Sequence, residues 1–372
     1  MKFLSVIGAR PQFIKAAVIS NAFIEFNNRF NTSVEEIILH TGQHFDSDMS
    51  DSFFRDLKIP NPKYNLGISS LSHGAMTGKM IEAIEEIICK ENPDCVIVFG
   101  DTNSTLAAAL SACKLHIPIA HIEAGLRSNN LLMPEEINRI LTDRVSTFLF
   151  CPSRIAEENL LKEGYPLPIY LSNQSIYNFG DVMFDVLKNY LDEARDKYPS
   201  SFWELNKNDY VLATIHRPDL TDSPSNIKNA LTALRKINKE IKVVMPLHPR
   251  TKIKLNEFSL ENLLDDFLIL NPLKYLEMQS LLSDCNAVIT DSGGLQKEAF
   301  WHQKPCITLR NDTEWVETVE SGWNTLAGYE EQSIIESWEN LLAPREKQKS
   351  FYGNGDAANL IVSKLIKNLG DH

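Results

Sequence analysis

Residues 95–125 of the chain read CVIVFGDTNSTLAAALSACKLHIPIAHIEAG. Two apolar runs, CVIVFG and IPIAHI, flank an Ala-rich segment that opens with capping hydroxyls such as Thr102 and Ser104, as a helix does. The runs are apolar throughout rather than alternating, which is typical of strands covered on both faces in a parallel sheet with helical crossovers. The stretch therefore predicts a strand, a helix and a second strand of an α/β fold.

The same alternation extends in both directions along the chain. The other predicted strands are FLSVIG, EEIILHTG and STFLFCP in the first half, and YVLATIHRP, KVVMPLHP, FLILNP, AVITDSGG and PCITLR in the second. This pattern predicts an α/β protein of two Rossmann-like, doubly wound domains. The alternation breaks between Asp181 and Asn208, where the helical segment VMFDVLKNYLDEARDKY is followed by a polar stretch. We therefore place the domains at residues 1–185 and 186–355, with a C-terminal helix over 356–372 completing the first.

Composition excludes several classes of protein. The chain has 372 residues, 43% of them hydrophobic, which suffices for more than one buried core. A net charge of −12 argues against a nucleic-acid partner, which needs a basic surface. The six cysteines show no CxxC pair and are expected to be buried thiols in a reducing compartment, with no metal site. Without a signal-peptide core or an 18-residue apolar run, we expect a cytoplasmic protein with no membrane partner.

Charged residues follow the predicted strands of the first half, where ligands of open α/β sheets collect. Arg10 and Lys15 follow the first strand, where a helix N-terminus and positive charge suit an anion. Three carboxylates follow later strands: Asp101, Glu123 and Glu135. Neighbouring carboxylates raise one another's pKa, which supplies an acid and a base near neutral pH. Arg139 lies four residues after Glu135, so an intrahelical ion pair is the purely structural alternative for that pair.

The second half repeats this arrangement with different residues. His216 follows one strand and His248 the next, and AVITDSGGLQKEA places Ser292, Gly293 and Gly294 at a strand end that opens a helix. The N–H groups of such a turn suit a diphosphate, and Glu298, one turn further, suits a ribose diol. Arg310 follows another strand and is a candidate for contact with a sugar nucleotide. No Walker A loop and no GxGxxG after the first strand occur.

These motifs in succession resemble the non-hydrolysing UDP-N-acetylglucosamine 2-epimerase family. They are GARPQFIK, GDTNSTLAAALSA, HIEAGLRS with PEEINR, IHRP, PLHPR and TDSGGLQKEA. The resemblance runs from about residue 2 to about residue 355. It implies two domains of the glycosyltransferase-B type with the active site in the cleft between them. The segments HTGQHFD, IPNPKYNL, HGAMTGKM and TEWVETVESGWN are most similar to the branch acting on UDP-2,3-diacetamido-2,3-dideoxyglucuronate, with UDP-N-acetylglucosamine as the competing substrate.

The resemblance also implies a mechanism and a homodimer. UDP leaves by anti elimination as the C2 proton is removed, and it adds back with protonation on the opposite face, without a nicotinamide or other cofactor. Asp101, Glu123 and Glu135 are then the acid and base candidates, with their individual roles open. The remaining implied site residues bind substrate, phosphate or UDP: His216, which also belongs to the catalytic set, Arg10, Lys15, Arg139, His248, Ser292, Gly293, Gly294, Glu298 and Arg310.

Three other functions remain open from the sequence. A retaining glycosyltransferase of the same architecture shares the UDP site but requires an acceptor groove instead of the three carboxylates. A hydrolysing 2-epimerase releases free sugar. A nucleotide-sugar sensor keeps the fold without turnover.

Overall fold

The computed structural model describes residues 1–43, 59–169, 172–341 and 350–370, with the side chains of residues 10, 169, 172 and 173 left out of the description. The last three residues of the motif HTGQHFD lie outside these ranges. The chain divides into two compact units, one comprising Met1–Asn189 with Ser350–His372 and the other Tyr190–Lys349. Each unit is built around its own parallel sheet.

Within the described residues, the first unit contains seven parallel strands and a small antiparallel pair. The parallel strands are β1 (Lys2–Ile7), β2 (Glu35–His40), β3 (Tyr64–Asn65), β4 (Cys95–Phe99), β5 (Ile119–Ile122), β6 (Phe148–Cys151) and β9 (Ser175–Asn178). The antiparallel pair is β7 (Pro168–Ile169) with β8 (Ser172–Asn173). The parallel sheet has the order β3-β2-β1-β4-β5-β6-β9. Its central strands β4 and β5 are buried along their whole length, and β1 is buried from Phe3 to Ile7, as their apolar runs predict.

Helices follow most of these strands. They are α1 (Arg10–Phe30), α2 (His73–Glu91), α3 (Asn103–Lys114), α4 (Pro134–Val145), α5 (Arg154–Lys162) and α6 (Val182–Lys197), which spans the boundary between the units. The N-cap of α3 is Thr102, whose hydroxyl accepts from the Thr105 N–H. Small residues along α3, Ala107–Ala109, are fully buried and pack with Met80 and Ile84 of α2 and with Val96 and Val98 of β4.

The second unit repeats this architecture. Its strands are β10 (Tyr210–Thr214), β11 (Lys242–Pro246), β12 (Leu268–Leu270), β13 (Ala287–Thr290), β14 (Cys306–Thr308) and β15 (Asn324–Leu326), in the order β12-β11-β10-β13-β14-β15. Its helices are α7 (Pro218–Thr221), α8 (Pro224–Ile237), α9 (Pro249–Glu257), α10 (Tyr275–Asp284), α11 (Gly293–Trp301), α12 (Val316–Glu320) and α13 (Glu331–Glu339). Two short 3₁₀ helices cover Ser200–Trp203 and Glu261–Leu264.

The strand order decides where each unit holds its site. Counted within its own sheet, each unit contains the order 3-2-1-4-5-6 of doubly wound α/β domains, to which the first unit adds β9 as a seventh strand. The direction of winding therefore reverses between β1 and β4 and between β10 and β13. Crevices form outside the carboxyl ends of the strands at such switch points. The segments after β1, β4, β10 and β13 are therefore the positions at which to look for chemistry.

The chain returns to the first unit through a last helix, α14 (Ala357–Gly370), which packs on α1. Asp185 of α6 accepts the Ala358 N–H at 2.7 Å and so caps the start of α14. Burial of this carboxyl, with Asp181 and Asp356 nearby, raises its pKa to about 6 despite that hydrogen bond. The attachment of the C-terminal helix therefore includes a buried acid with a shifted titration.

The ten strands predicted from apolar runs are all present, and the C-terminal helix begins and ends close to its predicted limits. The cysteine prediction was wrong for Cys89 and Cys113, which are exposed because they lie on the solvent side of α2 and α3. Among the described helices, none combines the length and apolarity that a bilayer crossing requires. Within the described ranges, no three His, Cys, Asp or Glu side chains form a group suited to a metal ion.

Candidate active site

One buried glutamine ties together the two loops at the switch point of the first unit. The Gln12 carbonyl accepts the N–H groups of Gly8 and Ala9 at 2.7 and 2.9 Å. Its amide donates to the Phe99 carbonyl at 2.8 Å and to the Thr105 hydroxyl at 2.9 Å. The loop after β1 is therefore fixed against the loop after β4. No sequence pattern indicates this role, because a glutamine in the first turn of a helix is ordinary.

Lys15 and Glu123 form an ion pair beside these loops. Lys15 Nζ lies 2.6 Å from Glu123 Oε1, and only 7% and 12% of the two side chains are exposed. Glu123 itself has a φ of +75°, a left-handed conformation that is strained for a residue with a Cβ. Gly100, directly after β4, faces the pair, since a Cβ there would lie 3.3 Å from both charged atoms. Arg10 is the first residue of α1, and only its backbone is described.

Asp101 follows Gly100 in the loop after β4 and is held by Arg139 of α4. Arg139 Nη2 is 2.5 Å from Asp101 Oδ2, and 26% of the Asp101 side chain is exposed. Burial raises the pKa of Asp101. The charges of Arg139 and Lys15 lower this pKa, those of Glu123 and Glu135 raise it, and the net effect is a rise. The other two predicted carboxylates, Glu123 and Glu135, and the predicted cations Lys15 and Arg139 therefore all act on Asp101. We call these five residues the acid cluster.

The second carboxylate of the sequence PEEINR, Glu136, has a role distinct from that of Glu135. Glu136 is 1% exposed and accepts the backbone N–H groups of Ser128 and Asn129, each at 2.9 Å, and Arg139 at 2.8 Å. Burial raises its pKa, but these donors outweigh burial and lower it below its usual value. Glu136 therefore stays ionised and anchors Arg139, so that Arg139 bridges Glu136 and Asp101. Its sequence pattern does not distinguish it from Glu135.

In the second unit, Asp291 organises the switch point. Its Oδ2 accepts the backbone N–H groups of His216 and Arg217, both at 2.8 Å, and its Oδ1 lies 3.3 Å from His216 Nδ1. Burial lowers the pKa of His216, and Arg217 lowers it further, against the opposing effect of Asp291. The ring of His248 lies 5.4 Å from that of His216, so the two predicted histidines come together.

The Ser-Gly-Gly turn opens α11 next to this aspartate. Ser292 is the N-cap of α11, and its hydroxyl accepts the Leu295 N–H at 3.4 Å. A Cβ on Gly293 would overlap the Glu314 carboxylate and lie 3.4 Å from Arg217 Nη2, whereas a Cβ on Gly294 would meet no atom within 4 Å. The turn is therefore closed on the side of Gly293 and open at Gly294. Arg217 follows His216 at the end of its strand in the sequence, but its position beside this turn was not predicted.

Acidic and basic side chains surround the same turn. Arg310 pairs with Glu314 at 3.1 Å and with Asp312 at 2.9 Å. Burial lowers the pKa of Arg310, but the two carboxylates outweigh it and raise it. Glu298 lies on α11 with 8% of its surface exposed. Arg310 thus reaches the turn through Glu314, while Glu298 lies further along the helix that the turn begins.

Comparisons with known proteins agree across the whole chain. A family model described as UDP-N-acetylglucosamine 2-epimerase matches residues 28–366. The chain is 47% identical over 369 residues to the UDP-2,3-diacetamido-2,3-dideoxy-D-glucuronate 2-epimerase of Pseudomonas aeruginosa, covering 99% of this chain and 100% of that protein. It is 46% identical over 374 residues to a UDP-N-acetylglucosamine 2-epimerase homolog of Methanococcus maripaludis, with 99% and 100% covered.

Solved structures give the same result. The crystal structure of the Methanocaldococcus jannaschii UDP-GlcNAc 2-epimerase in complex with UDP-GlcNAc and UDP matches with a TM-score of 0.88 at 40% identity, covering 99% of this chain and 100% of that one. The Neisseria meningitidis UDP-GlcNAc 2-epimerase bound to UDP-GlcNAc matches with a TM-score of 0.87 at 30% identity, with 99% and 100% covered.

Proposed function

The chain belongs to the UDP-N-acetylglucosamine 2-epimerase family and is an isomerase, and from this premise we propose that it inverts C2 of a UDP-N-acetylglucosamine-type sugar nucleotide without hydrolysing it. The candidate substrates are UDP-2,3-diacetamido-2,3-dideoxyglucuronate, giving the mannuronate epimer, and UDP-N-acetylglucosamine, giving UDP-N-acetylmannosamine. Either product is a precursor for surface polysaccharide. The relatives that are 47% and 46% identical differ in the substrate named for them, so both candidates are carried into the test.

The proposed reaction is an elimination followed by an addition. A base removes the C2 proton, the electrons of the C–H bond form a C1–C2 double bond, and the C1–O bond to the diphosphate breaks with its electrons leaving on UDP. UDP then adds back to C1 while an acid delivers a proton to the opposite face of C2. Electrons are conserved within the substrate, so the reaction requires no redox cofactor.

We assign the proton transfers to the acid cluster. Asp101 has a raised pKa, which suits a group that holds a proton and delivers it. Glu123 is paired with Lys15 at 2.6 Å, which favours its ionised form and suits a base. Glu135 is the third candidate and raises the pKa of Asp101 through its charge. Arg10 and Lys15 are assigned to substrate binding, and Arg139 both holds Asp101 and remains a candidate for contact with the sugar.

We assign UDP to the Ser-Gly-Gly turn of the second unit. The open side of the turn at Gly294, the hydroxyl of Ser292 and the N-terminus of α11 suit a diphosphate, whose negative charge grows as C1–O breaks. His216 contacts Asp291, the residue directly before the turn, and is assigned to the leaving diphosphate. His248 lies beside His216. Glu298 is assigned to the ribose diol and Arg310 to the nucleotide side of the site.

The observation that carries the proposal is the acid cluster itself. A glycosyltransferase of the same architecture needs a UDP site but no cluster of three carboxylates at the switch point of its first unit. Here Glu123 and Glu135 both act on the pKa of Asp101, and two cations oppose them. Such a cluster suits proton transfer at carbon, where one group must take a proton and another must give one.

The proposal extends to the assembly and the location of the enzyme. We propose that it is a cytoplasmic homodimer, since nucleotide sugars are made and used inside the cell. Sedimentation equilibrium of the purified chain at several concentrations tests the dimer, and a single species of monomer mass across that range would exclude it.

A proton NMR time course in D₂O tests the function. The enzyme is incubated separately with each candidate substrate, and the C2 proton and the anomeric signal are followed. Deuterium at C2 together with a manno product from one substrate establishes epimerisation and identifies that substrate. Free sugar with UDP means hydrolysis, and unchanged spectra with both substrates contradict the proposal in favour of a transferase or a sensor.

A further inference from the structure

A buried histidine connects the two loops that carry the proposed acid and base. His121 of β5 is fully buried, its Nδ1 lies 2.7 Å from Asp143 Oδ1 of α4, and its Nε2 lies 2.8 Å from the Gly100 carbonyl oxygen. Gly100 directly precedes Asp101, so His121 fixes the backbone from which that carboxylate projects. Neither His121 nor Asp143 is assigned a role in the proposed reaction.

The aspartate holds the other loop. Asp143 Oδ2 accepts the Gly125 N–H at 3.1 Å and Arg127 Nη1 at 2.7 Å. These two residues belong to the turn after β5 in which Glu123 adopts its left-handed φ of +75°. A residue in that region persists only where its surroundings fix it. Asp143 supplies part of this fixation, and through His121 it links the Glu123 turn to the Asp101 loop.

Both ring nitrogens of His121 are engaged. Nδ1 faces the Asp143 carboxylate and Nε2 faces the Gly100 carbonyl oxygen, so the ring is held from both sides. Burial raises the pKa of Asp143, but His121 and Arg127 outweigh it and lower it, which keeps the carboxylate ionised. Arg127 also pairs with Glu163 at 2.7 Å, so the network extends to the residue that follows α5.

We propose that His121 and Asp143 are positioning residues of the epimerase, which keep the Gly100 carbonyl and the Glu123–Arg127 turn in the arrangement that proton transfer at C2 requires. This inference rests on the proposed function for its kinetic part. Neither residue contacts the reacting atoms in this scheme, and both act through the backbone of the loops. A misplacement of about 1 Å at a reacting group costs up to about 100-fold in rate, so the expected effect is on turnover rather than on binding.

Two variants test this, with one control. Asp143→Asn keeps the shape but removes the charge, and His121→Gln keeps one donor for the Gly100 carbonyl. Glu158→Gln removes one partner of the exposed pair that Arg154 and Glu158 form at 2.7 Å, and it serves as the control. For each protein, kcat per folded molecule, KM for the turned-over substrate, UDP affinity by calorimetry and Tm are measured.

We expect Asp143→Asn to lower kcat by about 10- to 100-fold with KM and UDP affinity within threefold of wild type, and His121→Gln to lower kcat by less. The control is expected to match wild type. If Tm falls but kcat per folded molecule stays within twofold, the pair has only a structural role and the inference is overturned. An inactive wild-type enzyme would instead contradict the proposed function.

An independent readout does not depend on turnover. In ¹⁵N-labelled protein, Asp143→Asn should shift the amide signals of Gly125 and of Asp101, because Asp143 binds the Gly125 N–H directly and reaches the Asp101 loop through His121. The control Glu158→Gln should leave both signals in place. An unmoved Asp101 amide signal in Asp143→Asn would overturn the proposed linkage even if the variants are slow.

Discussion

Replacing Arg139 by methionine should both destabilise the first unit and shift the pH dependence of turnover. Only 7% of the Arg139 side chain is exposed. Its guanidinium lies 2.5 Å from the Asp101 carboxylate and 2.8 Å from the Glu136 carboxylate, and so joins the two. Methionine has similar length and helix propensity, so the substitution removes chiefly the charge and its hydrogen bonds.

The size of the destabilisation follows from what is left behind. Breaking a buried ion pair by removing one partner costs about 3–5 kcal/mol, because the other charge stays buried. Glu136 keeps two backbone N–H donors, and 26% of the Asp101 side chain is exposed, so the cost should fall below that range. We expect about 2–3 kcal/mol, which corresponds to about 4–12 °C in Tm for a unit of this size.

The pH dependence follows from the pKa of Asp101. Arg139 is the strongest of the charges that lower this pKa, so its loss raises the pKa further. If Asp101 gives a proton in the reaction, activity falls as pH rises through its pKa, and Arg139→Met moves that alkaline limb to higher pH. If Asp101 instead takes a proton, the acid limb moves to higher pH.

Calorimetry and pH–rate profiles of kcat, measured by NMR in D₂O, check both parts of this prediction. Arg154→Met is the matched control, since Arg154 belongs to an exposed pair on α5 and its loss should leave Tm and the profile unchanged. A variant at position 139 with wild-type Tm and an unmoved profile would refute the assignment of Arg139 as the residue that holds Asp101.

Three further outcomes are expected. Asp101→Asn and Glu123→Gln should each lower kcat by about 10²–10⁴-fold with UDP affinity unchanged by calorimetry, and equal losses of both quantities would contradict their role in proton transfer. Gly293→Ala should lower Tm, because its Cβ overlaps Glu314, while Gly294→Ala, which meets no atom within 4 Å, should not. Asp185 has a pKa of about 6 in the folded protein, above its unfolded value near 3.9, so its stabilising contribution is present below pH 4 and is lost as pH rises through about 6. Asp185→Asn should remove this loss of stability with rising pH. The Tm difference between variant and wild type should therefore grow between about pH 4 and 6.

The sequence sufficed for the strands whose apolar runs are buried on both faces, because burial from two sides leaves an unbroken apolar signal. It did not suffice for β9 and β15, which lie at the sheet edges and contain polar residues such as Asn178 and Asn324. Edge strands carry less burial, so hydrogen bonding to the neighbouring strand defines them, and that pairing is not visible in composition.

The candidate site shows the same division. Strand-end position predicted Asp101, Glu123 and Ser292 as candidate site residues, since the carboxyl ends of parallel strands are where the fold exposes polar groups. It could not separate Glu135 from Glu136, because one helical step decides which carboxylate meets the Ser128 and Asn129 N–H groups. Contacts of this kind depend on the path of a loop in space and have no periodicity to read.

Each unit places chemistry of a different kind at an equivalent point of the same fold. In the first unit the loop after β4 carries Asp101, and the buried groups behind it are side chains that adjust its charge. In the second unit the loop after β13 carries Asp291. One carboxylate oxygen of Asp291 accepts the backbone N–H groups of His216 and Arg217, so this aspartate shapes the backbone instead of presenting its charge. In the proposed reaction, an aspartate at the same place in the sheet therefore serves proton transfer where cations hold its side chain, and anion binding where it is held by main-chain donors. The partners of a strand-end carboxylate, more than its position, therefore determine what it does.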